Sequence, residues 1–213
     1  HMAVEGVELS GTYAVQPPAN AGHFLRITGQ QDGRNFCFHS KLTPVGATHG
    51  TEPYQSLLPL EQAVQVWLDQ PIGELAYPIS PEGKLDAALY GRQVAALFNQ
   101  VQLAETGADF SCTSLGNDPV GLASPVTMRG VTAAYLFANT LVVLEVTEEV
   151  LRQTLERCAA YFTLVDGQPQ ISEEFLLPKV EHYNYDFYAG LAYTFDLRRP
   201  VGSRVVRLAK LDG

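Results

Sequence analysis

The sequence predicts a mixed α/β domain, in which strands and helices share one core. Three observations support this fold class. Apolar residues alternate with period two in NFCFHSKL (35–42). Three later segments carry apolar residues at helical spacing, and the chain closes with two strand-like runs around the turn RRPVGS. At 213 residues, 46% hydrophobic and 17% charged, the chain can bury a sizeable core.

The first segments of the chain are predicted to be extended. Residues 3–55 combine the period-two pattern with frequent glycines, so we expect a β-rich lead-in. A helix is predicted over 60–70, where apolar side chains recur at helical spacing and Pro71 and Gly73 then end it. The apolar residues of this helix are Leu60, Val64, Trp67 and Leu68.

Helices and strands alternate in the remaining chain. A second helix is predicted over 86–104, with Asp86 as its N-cap, and a short buried strand over 109–115. NTLVVLEVT (139–147) is strand-like because of its β-branched run. A third helix follows with Thr147 as N-cap. The apolar stripe of this helix is Leu151, Leu155, Cys158 and Phe162. Two strands close the chain, LAYTFDL and RVVRLAKL.

The predicted domain organisation has three parts. Residues 1–2 are interpreted as a remnant of cloning and left out of the fold. Residues 3–55 form the β-rich lead-in, which we expect to come from an interdomain junction, and residues 56–213 form the main domain. This domain should have mixed sheets with flanking helices.

Charge and cysteine content exclude several classes of function. The formal net charge of −9 argues against a nucleic acid polymer as partner, because phosphate backbones need a clustered basic surface. No apolar run is long enough to span a membrane. Cys37, Cys112 and Cys158 show no metal-binding spacing, and we expect three buried thiols.

Familiar catalytic motifs are missing from the sequence. It contains no GxSxG elbow, no phosphate-binding P-loop and no GxGxxG. The histidines are scattered, without HxH or HExxH pairing, so no hydrolytic metal centre is predicted on this chain. The pairs Glu148-Glu149 and Glu173-Glu174 are better interpreted as charges at helix starts than as acid/base pairs.

YNYDFYAGLAYTF (183–195) is the most aromatic segment, with six rings in thirteen residues. Asn184, Asp186 and Gly190 favour turns, so an ordered loop leading into a strand at Leu191 is predicted. The rings could fill a core edge, or Tyr183 could be a stacking platform for a nucleobase. Residues alone leave both interpretations open, the structural one being the commoner.

A second segment, AYLFANTL (134–141), bears on this choice. Phe137 and Asn139 flank a small residue directly before the predicted strand. A ring beside an amide suits base recognition, since the ring stacks and the amide bonds a base edge. The alternative is a buried phenylalanine and an asparagine that caps a strand.

Together, AYLFANTLVVLEVT, the helix LRQTLERCAAYF and PKVEHYNYDFYAGLAYTFDLRRPVGSRVVRL resemble the C-terminal domain of the 5′-nucleotidase family. The bacterial 2′,3′-cyclic-nucleotide 2′-phosphodiesterase/3′-nucleotidase branch is the most similar in appearance. DQPIGEL (69–75) and TGADFS (106–111) also fit, so the resemblance covers roughly residues 60–210 in order and spacing.

The resemblance implies a nucleoside-binding domain of a two-domain extracytoplasmic hydrolase. In the family, an N-terminal metallophosphatase domain holds two metal ions, and the C-terminal domain stacks the base between two rings. The matching positions here are Phe137, with Asn139 beside it, and Tyr183. The implied partners are a nucleoside or nucleotide and that N-terminal domain.

Two departures from the family pattern concern the sugar and phosphate contacts. Where relatives often carry an aspartate before the glycine after the aromatic loop, this chain has Ala189, and Asp186 is the candidate substitute. The loop SLGNDPVGL lacks the arginine that many members carry. Asn117 and Arg129 are the candidate replacements.

The metallophosphatase motifs are missing from this sequence, so we expect a fragment of a hydrolase that is inactive alone. It should need no cofactor itself, while two divalent metal ions are expected in the N-terminal domain. An extracytoplasmic location follows from the resemblance only. The alternative function is a degenerate docking or surface-interaction domain that binds no nucleotide.

Overall fold

The computed structural model of the protein describes residues 3–46 and 52–211. The chain divides into two compact units, residues 1–61 and 62–213. The predicted boundaries 1–2, 3–55 and 56–213 stay a prediction, and residues 1–2 lie outside the described residues.

The first unit contains two antiparallel hairpins. Strand β1 (Val4–Leu9) pairs with β2 (Thr12–Gln16), and β3 (His23–Asp32) pairs with β4 (Asn35–Pro44). The Tyr13 ring stacks on Phe38 with centroids 5.9 Å apart, and its hydroxyl lies 2.8 Å from Ser40 Oγ. The β-rich character predicted for this stretch is therefore observed.

Helix α1 (Glu52–Leu68) contains the division between the two units. A helix was predicted here, but it begins before residue 60 and ends at Leu68. Strand β5 (Pro71–Gly73) follows at once and pairs antiparallel with β7 (Val126–Thr127). Pro71 and Gly73 thus end the helix, as predicted, by starting a strand.

The predicted helix over 86–104 is two helices, α2 (Lys84–Tyr90) and α3 (Gln93–Thr106). They are separated at Gly91, whose φ of 88° and ψ of 164° cannot continue a helix. Asp86 lies in the first turn of α2, and Gly83 is the N-cap, so the N-cap prediction was wrong.

A buried amide fastens α3 to a two-stranded sheet. Strand β6 (Ser111–Ser114) pairs antiparallel with β10 (Asp186–Ala189). Asn99 of α3 is 1% exposed, and its Nδ2 donates to Phe187 O at 2.9 Å. Its Oδ1 accepts from Ser111 Oγ at 2.8 Å. Because both ends of the amide are satisfied, this buried polar group holds α3 in register with the sheet.

The remaining elements complete the second unit. Thr127 and Thr147 cap α4 (Met128–Ala134) and α5 (Glu148–Ala159) by accepting from backbone N–H groups, and the Thr147 cap was predicted. Two further antiparallel hairpins are β8 (Phe162–Val165) with β9 (Gln168–Ile171), and β11 (Leu191–Phe195) with β12 (Val205–Lys210). The closing pair of strands was predicted.

An aromatic cluster forms the core of the second unit. Tyr161, 2% exposed, lies at its centre and contacts Phe162, Phe175 and Tyr185, with centroids 4.9–5.5 Å apart. The inner face of α5 packs on this cluster through Cys158, and Leu155 of the predicted apolar stripe is also buried. The stripe was wrong at Phe162, which begins β8 because the helix ends at Ala159. Most of the ring pairs are edge-to-face, the geometry that aromatic quadrupoles favour.

Residues 139–147 form no strand, so that prediction was wrong. The backbone is irregular, and side chains from Leu141 to Leu144 are 49–71% exposed. β-Branched residues favour an extended backbone, but a strand also needs a partner that offers hydrogen bonds. The side of β6 that faces this segment is separated from it by a groove of about 890 Å³.

Two other expectations need correction. Residues 186–189 of the aromatic segment are strand β10, because β6 supplies a hydrogen-bonding partner that turn propensity cannot reveal. The 3₁₀ turn His182–Asn184 precedes it. Among the cysteines only Cys158 is buried, whereas Cys37 and Cys112 are exposed.

Candidate functional site

Three loops of the second unit carry four of the predicted site residues, Asn117, Phe137, Asn139 and Tyr183. They are the loop after β6 (115–121), the loop after α4 (135–140) and the segment 177–185. Asn117 Nδ2 donates to Val180 O at 2.8 Å, which joins the first and third loops. The Leu136 side chain packs over Gly116, since a Cβ there would lie 3.6 Å from Leu136 Cδ1. Through these contacts the first loop meets both of the others, by Gly116 at the Phe137 loop and by Asn117 at the Tyr183 segment.

Tyr183 has a lysine at the hydroxyl end of its ring. Lys179 Nζ lies 5.2 Å from the ring centroid and donates to the Tyr183 hydroxyl at 3.1 Å. This hydrogen bond and the charge interaction with Tyr183 raise the pKa of Lys179 above its usual value. The lysine thus holds the ring by its hydroxyl end.

Phe137 is exposed to solvent. Its side chain is 67% exposed at the tip of the second loop. Asn139 N donates to Phe137 O at 2.9 Å, which closes a tight turn between the ring and the amide. An exposed ring held beside an amide agrees with a contact surface rather than with the buried phenylalanine of the alternative interpretation.

Asn139 and Asp186 line the same groove. This groove, of about 890 Å³, also contains Ser114 and Tyr135. Burial raises the pKa of the Asp186 carboxyl above its usual value, and Asp186 pairs with Ser114 across β10 and β6. The two side chains predicted to contact the ligand's polar groups are therefore brought to one cavity by separate elements.

Arg129 is engaged elsewhere. From α4 its Nε donates to Asp69 Oδ1 at 2.8 Å, and an Nη donates to Gln65 Oε1 at 2.6 Å. Asp69 is the ion-pair partner of this guanidinium and compensates its charge. The hydrogen bond from Arg129 lowers the pKa of the Asp69 carboxyl below its usual value. The geometry gives Arg129 a role in joining α4 to the end of α1, and its proposed ligand contact stays a prediction.

Three basic side chains border the first and third loops. Lys84 Nζ donates to Gly116 O at 3.1 Å, and His182 Nδ1 lies 2.6 Å from the Tyr161 hydroxyl. Burial, then the Arg92 charge, lowers the pKa of Lys84 to about 8. Burial, then Lys84, also lowers the pKa of His182. Arg92 thus acts on Lys84, and Lys84 acts on His182, in a partly buried environment.

The pH dependence of stability should report the burial of Lys84. Between pH 8 and 10.5 the lysine is protonated in the unfolded chain but largely neutral in the folded one. The unfolded state then binds more protons, so stability rises with pH in this window. We expect wild type to gain stability relative to Lys84→Met between pH 7 and pH 10, measured by urea unfolding. The titrations of tyrosine and cysteine cancel, because both proteins contain these residues. A difference in stability between wild type and Lys84→Met that did not change with pH would contradict the lowered pKa of Lys84.

Sequence patterns did not predict Lys84, Lys179 or His182 as members of this site. Lys84 and His182 are about a hundred residues apart, and only the packing of α2 against the third loop brings them together. Lys179 precedes Tyr183 by four residues, a spacing that has meaning in a helix but not in this irregular segment. A local signal was therefore missing for all three.

Neither a metal site nor a membrane-spanning helix is found in the described parts of the chain. In residues 3–46 and 52–211 no three His, Cys, Asp or Glu side chains lie close enough together to hold a metal ion. No helix there is both long and apolar enough to cross a membrane.

Comparison with known proteins gives one family match. The sequence pattern of the family described as "5′-nucleotidase, C-terminal domain" matches residues 82–213. The chain is also similar to a 2′,3′-cyclic-nucleotide 2′-phosphodiesterase/3′-nucleotidase of Haemophilus influenzae. The two are 27% identical over 167 residues, covering 68% of this chain and 25% of that protein.

Two solved structures resemble the fold. One is a Staphylococcus aureus protein assigned as a 5′-nucleotidase, in complex with α-ketoglutarate, with a TM-score of 0.78 and 30% identity over 96% of this chain and 40% of that one. The other is a 5′-nucleotidase precursor of Thermus thermophilus, with a TM-score of 0.52 and 21% identity over 97% and 39% of the two chains. This second likeness concerns the fold alone.

The chain spans between 25% and 40% of the length of these relatives. The resemblance inferred from the aromatic segment and its neighbours is confirmed, and so is the mixed α/β fold class. Because the family pattern covers well over half of the sequence, this chain belongs to the 5′-nucleotidase C-terminal domain family.

Proposed function

We propose that this chain is the substrate-binding domain of a metal-dependent nucleotide phosphohydrolase. The substrate class would be that of a 2′,3′-cyclic-nucleotide 2′-phosphodiesterase or of a 3′- or 5′-nucleotidase. The proposal is supported chiefly by the meeting of three loops, at which Asn117 bonds the Tyr183 segment and Leu136 packs on Gly116. The loops that carry the two predicted stacking rings each contact the loop 115–121, which supports the proposal.

In the proposed complex, Tyr183 and Phe137 stack on the two faces of a nucleobase. Lys179 holds the Tyr183 ring by its hydroxyl end, and the base would stack on a face of that ring. Stacking of a base on an aromatic ring contributes roughly 1–3 kcal/mol. Phe137 is exposed and can therefore contact a ligand without rearrangement of a core.

Asn139 and Asp186 would bind the polar edges of the nucleoside. Asn139 offers an amide donor and acceptor, and the raised pKa of Asp186 brings its carboxyl closer to the protonated, donating form. Both line the groove beside β6. Asp186 would take the sugar contact that Ala189 cannot make, and Asn117 would bind near the base.

Hydrolysis would take place in a separate N-terminal metallophosphatase domain, where two divalent metal ions would supply Lewis acidity and an activated water. The contribution of this chain is positioning, since a held substrate reacts faster than a diffusing one. The chain alone should turn over no nucleotide. An extracytoplasmic location is part of the same proposal.

Nucleoside titration with ligand-detected NMR tests the proposal. We expect saturable binding of adenosine and 3′-AMP at millimolar concentration, because contacts to the metals are lacking. Tyr183→Ala should weaken binding about 5- to 150-fold, which corresponds to the loss of one stacking contact of 1–3 kcal/mol. Tyr183→Phe keeps the ring and should retain most of the affinity.

Tyr77→Ala is the matched control, because Tyr77 is 83% exposed and lies outside the three loops. It should leave binding unchanged. If wild type bound no nucleoside at millimolar ligand, the docking or surface-interaction alternative would replace the proposal. Equal weakening by Tyr77→Ala and Tyr183→Ala would also contradict it.

A further inference from the structure

The hairpin β3–β4 of the first unit has one apolar and one mainly polar face. Residues that are paired across two antiparallel strands point to the same side, and the side alternates along each strand. One side, which we call the apolar face, therefore holds Leu25, Ile27, Phe36, Phe38 and Leu42. The other side is mainly polar and holds Arg26, Thr28, Asp32, His39 and Lys41. A sheet with this alternation packs its apolar face on a core and leaves the polar one in water.

Aromatic rings cover part of the apolar face. Phe38 stacks on Tyr13 and on Phe36, with ring centroids 5.9 and 6.2 Å apart and interplanar angles of 23° and 19°. Tyr13 belongs to the first hairpin, and its hydroxyl lies 2.8 Å from Ser40 Oγ. The first hairpin thus covers the part of the apolar face that lies near Ser40.

The remainder of the apolar face is open to solvent. Ile27, Phe36 and Phe38 are 50%, 60% and 46% exposed, although they lie on the side that the alternation of the sequence assigns to a core. A hairpin of two strands is only marginally stable unless another element covers its apolar side. A flexible lead-in would be polar and rich in glycine, serine or proline. An exposed group of apolar side chains instead indicates an interaction surface.

The match to the Staphylococcus aureus protein indicates what covers this surface. The match extends over 96% of this chain, so it includes most of the two hairpins, yet it takes up only 40% of that protein. The family pattern begins at residue 82, so the hairpins lie outside the C-terminal domain that it describes. In that relative the hairpins therefore accompany the C-terminal domain, and more than half of its chain lies outside the match.

We propose that the apolar face of β3–β4 packs on an apolar face of the metallophosphatase domain, so that the two hairpins complete that domain. This inference rests on the proposed function, which supplies the partner domain. Packing would remove Ile27, Phe36 and Phe38 from water and would leave the charged side of the hairpin in solvent.

Hydroxyl-radical footprinting, measured by mass spectrometry, tests this interface on wild-type protein. It compares this chain alone with the full-length protein that carries the metallophosphatase domain, each at a concentration at which ultracentrifugation shows a monomer. We expect oxidation of Phe36 and Phe38 to be several-fold lower in the full-length protein. Phe24 is the matched control, because it is a phenylalanine of the same hairpin, 49% exposed and on the opposite side. Its oxidation should be the same in both proteins.

Variants measure what the covered ring contributes to stability. Phe36→Ser should lower the melting temperature of the full-length protein by a few degrees, because a ring that is buried there is replaced by a polar side chain. In this chain alone Phe36 is exposed, so the same substitution should leave the melting temperature nearly unchanged. Phe24→Ser should have little effect in either protein.

Equal oxidation of Phe36 in the two proteins would overturn the proposal. Protection that appeared only at concentrations at which the full-length protein dimerises would assign the apolar face to a second copy, and would also overturn it. If no metallophosphatase domain accompanied this chain in its gene, the proposal would fail together with the role given to that domain.

Nucleoside binding separates this inference from the proposed function, because the footprinting contains no nucleoside. Unprotected rings with intact adenosine binding would contradict the interface alone. Protected rings without adenosine binding would contradict the substrate-binding role and leave the interface in place.

Discussion

Gly190→Ala is expected to destabilise the second unit by about 2–5 kcal/mol. Gly190 has a φ of 82°, a left-handed conformation that costs an L-residue about 1–2 kcal/mol. An alanine Cβ would also lie 2.5 Å from Asp109 O and 2.9 Å from Phe110 Cα, and such overpacking adds about 1–3 kcal/mol. Urea unfolding of the purified variant measures the total loss in the free energy of unfolding.

Gly167→Ala is the matched control for this glycine. Gly167 has a similar φ of 76°, in the turn between β8 and β9, but a Cβ there would meet nothing within 4 Å. Gly167→Ala should therefore lower the free energy of unfolding only by the cost of the left-handed backbone, about 1–2 kcal/mol. Equal losses at the two positions would show that the close approach of Gly190 to Asp109 and Phe110 is unimportant.

Phe175→Ala should be the most damaging core substitution, with an expected loss of about 3–5 kcal/mol in the free energy of unfolding. Phe175 is 0% exposed and meets Tyr161 edge-on, with centroids 5.1 Å apart. The Arg157 guanidinium lies 4.3 Å from its ring centroid. Removal of the ring leaves a cavity in the aromatic cluster and takes away this cation–π contact.

Phe137→Ala serves as control for Phe175→Ala, because it removes the same ring from an exposed position. It should change the free energy of unfolding by no more than about 0.5 kcal/mol, as is usual for surface substitutions. The same variant should weaken adenosine binding under the proposed function. A large loss of stability on Phe137→Ala would instead place that ring in the core and oppose its role in stacking.

Local sequence signals predicted much of the second unit. The Thr147 cap, the buried face of α5, strand β6 and the closing hairpin β11–β12 all follow from spacing and capping chemistry that act within a few residues. The family resemblance was likewise readable from the aromatic segment and its neighbours. Each of these features depends on residues close together in the chain.

Features that depend on long-range partners were predicted less well. The strand expected over 139–147 has the right composition, but within residues 3–46 and 52–211 no strand pairs with it. Conversely, residues 186–189 carry turn-forming neighbours and are nevertheless a strand, because β6 pairs with them. Strand formation is decided by the partner as much as by the residue.

For this protein, the sequence by itself determined the mixed α/β class, the family and the candidate ring positions Phe137 and Tyr183. Tertiary structure alone decided that Asn117 bonds the Tyr183 segment, that Arg129 pairs with Asp69, and that Lys84 and Arg92 line one cavity. The physical reason is the distance along the chain over which each effect acts. Propensity, capping and motif spacing act between near neighbours, whereas burial and the pairing of charges depend on which distant segments the fold brings together.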